Sequence, residues 1–92
     1  MPYKLIYTES YNRRAAKFLG KHPELVGTYR KVLQILEINP RHPSLRLHAL
    51  SGKLQGLHAV SITLGYRITL EIIMEEDEIV LVNVGDHDAA YR

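Results

Sequence analysis

Cysteine is absent from the 92 residues. That absence removes disulfides, thiolate catalysis and the usual cysteine-containing zinc sites together. No apolar run approaches membrane-spanning length, and the opening Met-Pro-Tyr-Lys-Leu-Ile-Tyr lacks the basic segment, apolar stretch and cleavage site of a secretory leader. A cytoplasmic protein with no membrane partner is therefore expected. A P-loop, a glycine-rich dinucleotide fingerprint and a Gly-x-Ser-x-Gly elbow are also missing, so the reaction classes tied to them lose their support. The five histidines, His22, His42, His48, His58 and His87, lack the short paired spacing of helical or knuckle metal sites. Neither a metal nor another cofactor is expected.

Acidic residues are scarce in the first two thirds. Residues 1–67 hold eleven Lys/Arg against three Asp/Glu, whereas residues 68–92 hold one against seven. The net charge of +2 thus conceals a basic part suited to a polyanion, since neutralising phosphates releases counterions and steers encounter. With 46% apolar and 24% charged residues the composition is that of a folded protein, and the length suits one compact domain spanning 1–92.

Tyr3 to Thr8 alternates with a period of two, which predicts a short strand. Thr8 and Ser10 offer N-cap oxygens to a helix whose stripe is Tyr11, Ala15, Phe18, Leu19 and His22, with Arg13, Arg14, Lys17 and Lys21 on its other side. Gly20 to Pro23 predicts a break. A second helix follows, with Leu25, Val26, Tyr29, Val32, Leu33 and Leu36 on its apolar stripe, ending near Asn39-Pro40. Residues 40–56 read as irregular and carry Arg41, His42, Arg46, His48 and Lys53, the densest basic loop in the chain. Strands are predicted at 57–63, 66–74 and 79–84, with a charged hairpin at Glu75-Glu76-Asp77-Glu78. The expected class is α+β: an N-terminal strand and helical hairpin packed on a twisted, mainly antiparallel sheet.

Parity separates the two faces of that sheet. Tyr66, Ile68, Leu70 and Ile72 share one side, whereas Arg67, Thr69 and Glu71 share the other. Ser61 and Thr63 join Arg67 by the same rule. The last strand is apolar on both parities apart from Asn83, which suits an interior position, and it delivers Gly85-Asp86-His87-Asp88 to one rim.

These residues suit phosphodiester cleavage in RNA. The substrate supplies its own nucleophile, the 2′-hydroxyl, so the protein needs a base, an acid and a cation for charge developing on phosphorus. Histidine as a residue type can serve as acid or base, which makes His87 and His48 candidates, and Arg67 offers a forked donor to phosphate oxygens. Tyr91 can stack on a base or assist proton transfer. Plainer roles are open to each residue: a turn histidine for His87, a solvated loop for His48, an ion pair with Glu71 for Arg67, and an apolar staple for Tyr91. Arg41, Arg46 and Lys53, together with Ser61 on the open face, are the candidate RNA contacts, the basic three through phosphates rather than bases.

The order of three motifs resembles the RelE/ParE toxin superfamily, in particular its RelE/StbE and YafQ-like branches. They are His48-Ala49-Leu50-Ser51-Gly52-Lys53-Leu54-Gln55-Gly56, Gly65-Tyr66-Arg67-Ile68, and Val84-Gly85-Asp86-His87-Asp88-Ala89-Ala90-Tyr91. The resemblance implies two helices on a twisted sheet, metal-independent cleavage of mRNA in the ribosomal A site, and inhibition by a cognate antitoxin. It matches His87 and Tyr91 to the C-terminal catalytic histidine and terminal aromatic, His48 to the histidine before the glycine-containing turn, and Arg67 to the arginine that stabilises the transition state. Ser61 and Gly65 depart from the YafQ-like pattern, standing where a further histidine and an aspartate are expected. The superfamily also contains ParE-type gyrase inhibitors without nuclease activity, so that reading and an inactive antitoxin-binding relic stand as the alternatives.

Overall fold

A computed structural model describes residues 2–90. The first strand, β1 (Lys4–Tyr7), buries Leu5. Thr8 then ends the extended backbone, and its Oγ1 accepts the amide of Tyr11 at 3.1 Å. This satisfies one of the orphan donors of α1 (Glu9–Lys21), whose first turn also carries Glu9 and whose last carries Lys21, each favourable with the helix dipole. Helix α1 buries Tyr11, Ala15 and Phe18 at i, i+4 and i+7. It runs through Gly20 to Lys21, two residues into the predicted break, because the His22 amide still reaches the carbonyls of Phe18 and Leu19. Pro23 opens a single 3₁₀ turn, Pro23–Leu25, rather than the α-helix itself. Helix α2 (Val26–Ile38) follows and buries Tyr29, Val32 and Leu36.

Five strands form one sheet in the order β1-β5-β4-β3-β2, where β2 is His48–Ala49, β3 is His58–Ser61, β4 is Arg67–Ile73 and β5 is Glu78–Gly85. Strand β1 runs parallel to β5, and every other pair is antiparallel. The last strand is interior, as its double apolar parity implies. Both helices cover one face, where Val60, Ile62, Ile68, Leu70, Ile79, Leu81 and Val84 meet the helical stripes. Burial of such side chains contributes roughly 1.5–3 kcal/mol each. The expected α+β architecture is the observed one.

The segment 40–56 has more order than its sequence suggests. Leu45, in the 3₁₀ turn Pro43–Leu45, is buried in the core, and His48–Ala49 adds an edge strand to β3. A second feature is a register shift between β4 and β5. Thr69 pairs with Asn83, but the next residue, Leu70, pairs with Leu81, leaving Val82 as the extra residue of a bulge. The shift exchanges the parity of β5 midway. Ile79 and Leu81 face the helices before it and Val84 after it, so Asn83 and Gly85 are turned to the opposite face.

Candidate functional site

The face away from the two helices carries the candidate residues in a cross-strand row. Ser61 on β3, Arg67 on β4 and Gly85 on β5 are direct partners, with Arg67 in the middle. Next along the same face lie Ala59, Thr69 and Asn83, also direct partners, and His48 continues this row onto β2 opposite Ala59. Strand spacing of about 4.8 Å and rise of about 3.4 Å per residue put the Cα atoms of His48 and Arg67 about 12 Å apart. Two side chains that lean toward each other across such a gap can flank one phosphodiester.

Strand β5 ends beside Arg67, and the chain turns there. Gly85 has no side chain opposite the guanidinium, and Asp86 leads into a single helical turn, α3 (His87–Ala90). His87 is exposed at its start. The backbone places His87 two residues beyond the partner of Arg67, within a reach of about 7 Å from Gly85. The same turn folds back onto the open face. The hydroxyl of Thr69 donates to the carbonyl of Ala90, and both residues are about 1% exposed.

Arg67 is half-buried, and its Nε lies out of solvent with no hydrogen-bond partner among the described residues. The ion pair with Glu71 that the sequence allowed is not formed. A buried donor left unmade costs about 1–3 kcal/mol, so hydrogen bonds among the described residues do not explain Arg67. His48 is exposed, and its ring is oriented by Nδ1 lying 3.0 Å from the carbonyl of Arg46. If Nδ1 carries the proton and donates to that carbonyl, Nε2 is left as the basic nitrogen.

The basic loop is spread out rather than gathered at this row. Arg41 and Arg46 line one open depression of about 290 Å³ with His42, Pro43 and Leu47. Arg41 also borders a second depression, of about 220 Å³, with Tyr3, Ile38 and Asp77. Asp77 precedes β5, so Arg41 stands toward the end of the sheet away from His87. Lys53 sits in the turn between β2 and β3, ahead of His58 and thus at the end of β3 away from Ser61. Arg46, two residues before His48, is the member of the loop tied to the row. It adopts a left-handed conformation, with φ 51°, a strain of order 1 kcal/mol for a non-glycine residue. Tyr91 lies outside the described residues.

The charge asymmetry of the sequence is also an asymmetry in space. Arg67 opens β4, and the exposed turn with Glu75, Glu76 and Asp77 follows its other end, roughly 20 Å away at strand rise. The acidic turn thus lies at the end of the sheet away from Arg67, with Arg41 bordering Asp77 there.

An open five-stranded sheet with a parallel N-terminal edge strand and an α-hairpin on one face is a fold shared with solved proteins over nearly the whole chain. YafQ from Escherichia coli superposes with a TM-score of 0.79 at 12% identity, covering 98% of this chain and 99% of that one. The chain has the fold of the RelE/ParE toxins. The YoeB/ParE toxin from Agrobacterium tumefaciens gives a TM-score of 0.73 at 15% identity, over 91% of this chain and 98% of that one. The E. coli DinJ–YafQ toxin–antitoxin complex gives 0.78 at 14% identity, with 100% of both chains covered. No protein-family model and no curated protein matches the sequence. The RelE/ParE-like fold expected from the three motifs is therefore shared in three dimensions at identities too low to carry activity with it.

Sequence parity placed Arg67, Thr69 and Ser61 on one face but did not distinguish Thr69 from its neighbours. Thr69 is, apart from the buried tyrosines Tyr11 and Tyr29, the one polar side chain fully buried among the described residues. The signal that could have singled it out is a β-branched hydroxyl on the uncovered parity, within reach of the residues that follow Gly85.

Proposed function

We propose that this chain is the toxin of a type II toxin–antitoxin pair and an endoribonuclease that cuts mRNA on the ribosome by 2′-hydroxyl attack, without a metal. The observation that carries the reading is Arg67. It occupies the centre of the uncovered row with a buried Nε that has no hydrogen-bond partner among the described residues, opposite a residue with no side chain and beside the strand end that presents His87. Such a donor is made for an anion that arrives from outside.

In this mechanism one histidine withdraws the proton from the 2′-oxygen as it bonds to phosphorus. The bond from phosphorus to the 5′-oxygen breaks, and the departing oxygen receives a proton from the second histidine. A cyclic 2′,3′-phosphate and a 5′-hydroxyl result. Arg67 faces the charge that builds on the non-bridging oxygens. His87 and His48 are the proton carriers, with His48 acting alternatively as a phosphate ligand. Tyr91 stacks on a base or assists proton transfer. Ser61, beside Arg67, and Arg46, beside His48, hold the strand through phosphates, aided at longer range by Arg41 and Lys53.

An antitoxin encoded nearby is the expected inhibitor, because the likeness extends to YafQ as solved with DinJ in a toxin–antitoxin complex. The ribosome and mRNA are the expected targets in the cytoplasm. Among the described residues, no helix is long and apolar enough to cross a membrane. The test is single-turnover mRNA cleavage on translating ribosomes with a chelator present. Cleavage that disappears in a folded Arg67→Ala variant supports the proposal. Intact mRNA with the unsubstituted protein overturns it, and inhibition of gyrase supercoiling in parallel would then identify the ParE-like alternative.

A further inference from the structure

We infer that Thr69 is a positioning residue for His87: its hydroxyl pins the short C-terminal helical turn to the sheet and thereby holds the histidine beside Arg67. This rests on the nuclease reading for its functional half and on the hydrogen-bond geometry for its structural half. A helix of four residues has no stability of its own, since its nucleation is unfavourable and all its terminal carbonyls need partners. Helix α3 therefore depends on what the rest of the chain offers it. Two bonds are formed at Ala90: its amide donates to the Asp86 carbonyl at 2.8 Å, and its carbonyl accepts from the Thr69 hydroxyl. The first closes the turn on itself around His87, and the second fastens that turn to the middle of β4.

The choice of threonine needs this explanation. Position 69 is central in the sheet, between Ala59 and Asn83, and 1% exposed. Valine fills such a position equally well by shape and β propensity. A valine there would leave the Ala90 carbonyl buried without its partner. Thr69 and Arg67 also share β4 and the same face, two residues apart, so one rigid strand sets both the cation and the anchor of the proton carrier. A displacement of about 1 Å in such a pair is enough to cost on the order of 10²-fold in rate.

The decisive pair is Thr69→Ser and Thr69→Ala, which differ by the hydroxyl alone. Thr69→Val keeps the shape and carries the comparison with the unsubstituted protein if the alanine variant does not fold. Two readouts are taken on folded protein: hydrogen exchange of the Ala90 amide, and single-turnover cleavage at saturating ribosome concentration with binding measured separately. The serine variant is expected to match the unsubstituted protein within a few-fold in both. The alanine or valine variant is expected to lose protection at Ala90 by up to about tenfold and cleavage by on the order of 10²-fold, with binding unchanged. Unchanged protection without the hydroxyl overturns the structural half. Lost protection with an unchanged cleavage rate reduces Thr69 to a packing staple and overturns the positioning role. If the unsubstituted protein does not cleave, the nuclease reading fails together with the positioning role, and the exchange measurement alone still decides whether the hydroxyl holds the turn.

Discussion

Replacing Arg67 with methionine should separate stability from activity, because the two demands on this residue oppose each other. Methionine retains an unbranched apolar stem of similar reach, so the packing of the Arg67 side chain between Ser61 and Gly85 is largely preserved. What it removes is a guanidinium whose Nε is buried without a partner among the described residues. An unmade buried donor costs about 1–3 kcal/mol. Arg67 is only half-buried, and its other nitrogens can still reach water, so the lower part of that range applies. The variant is expected to be between neutral and about 1 kcal/mol more stable. Cleavage should fall by about 10²–10³-fold, the usual loss for one preorganised donor to developing charge. Arg67→Lys should recover little of it, since an ammonium cannot reproduce the planar fork. Urea titrations of both proteins, read as a change in midpoint at constant slope, supply the stability arm. A loss of more than about 1 kcal/mol in Arg67→Met would mean that the guanidinium is already satisfied within the fold. Its reservation for an incoming phosphate would then have no basis.

Three further outcomes are expected. Folded His87→Ala should slow single-turnover cleavage by about 10²–10⁴-fold, and a wild-type-like rate would remove His87 from the chemistry. Among the basic loop residues, Arg46→Ala should reduce the salt dependence of RNA binding most, by a slope of about 0.7 for one lost single-strand phosphate contact, with Arg41→Ala and Lys53→Ala smaller because they lie away from the row; equal effects would contradict the geometry. The buried phenols of Tyr11 and Tyr29 share a hydroxyl contact of 2.7 Å, and Tyr11→Phe should cost about 1–2 kcal/mol in urea titration. Burial, reinforced by Tyr29, raises the Tyr11 pKa above its ordinary 10.0, and burial likewise raises that of Tyr29. Their neutral forms are the ones the fold holds, so this contribution is complete below about pH 10 and is lost as pH rises beyond it. A stability that does not decline above pH 10, or a decline unchanged by Tyr11→Phe, would contradict that assignment.

The helices and the covered face of the sheet were legible because each follows a single period. Tyr11, Ala15 and Phe18 recur at helical spacing, and Ile68 and Leu70 alternate with Arg67 and Thr69. The bulge at Val82 was not legible, since Ile79 to Val82 is apolar on both parities and offers no mark of where the register shifts. Leu45 and the edge strand at His48–Ala49 escaped for a different reason: prolines at 40 and 43 correctly signal the end of regular helix, but say nothing of a single leucine reaching the core. The location of Arg67 and Ser61 on one face needed only parity. The spread of Arg41 and Lys53 away from that row could not be read from their nearness in sequence, because the loop crosses from the foot of β5 to the opposite edge of the sheet.

Core and candidate site meet in the same residue of β5. With no extra residue, strict alternation from Ile79 and Leu81 would direct Asn83 and Gly85 toward the helices and Val84 toward the open face. The bulge at Val82 reverses this, so that Val84 completes the core opposite Ile68 while Gly85 clears the space opposite Arg67. Bulges bend and twist the strand that carries them, and here the bent strand leads into the turn that presents His87 and is tied back by Thr69. The apolar requirement of the helical face and the polar requirement of the uncovered face are thus met along one strand by a local irregularity. That coupling makes the C-terminal third of the chain both the centre of the sheet and the carrier of the proposed chemistry.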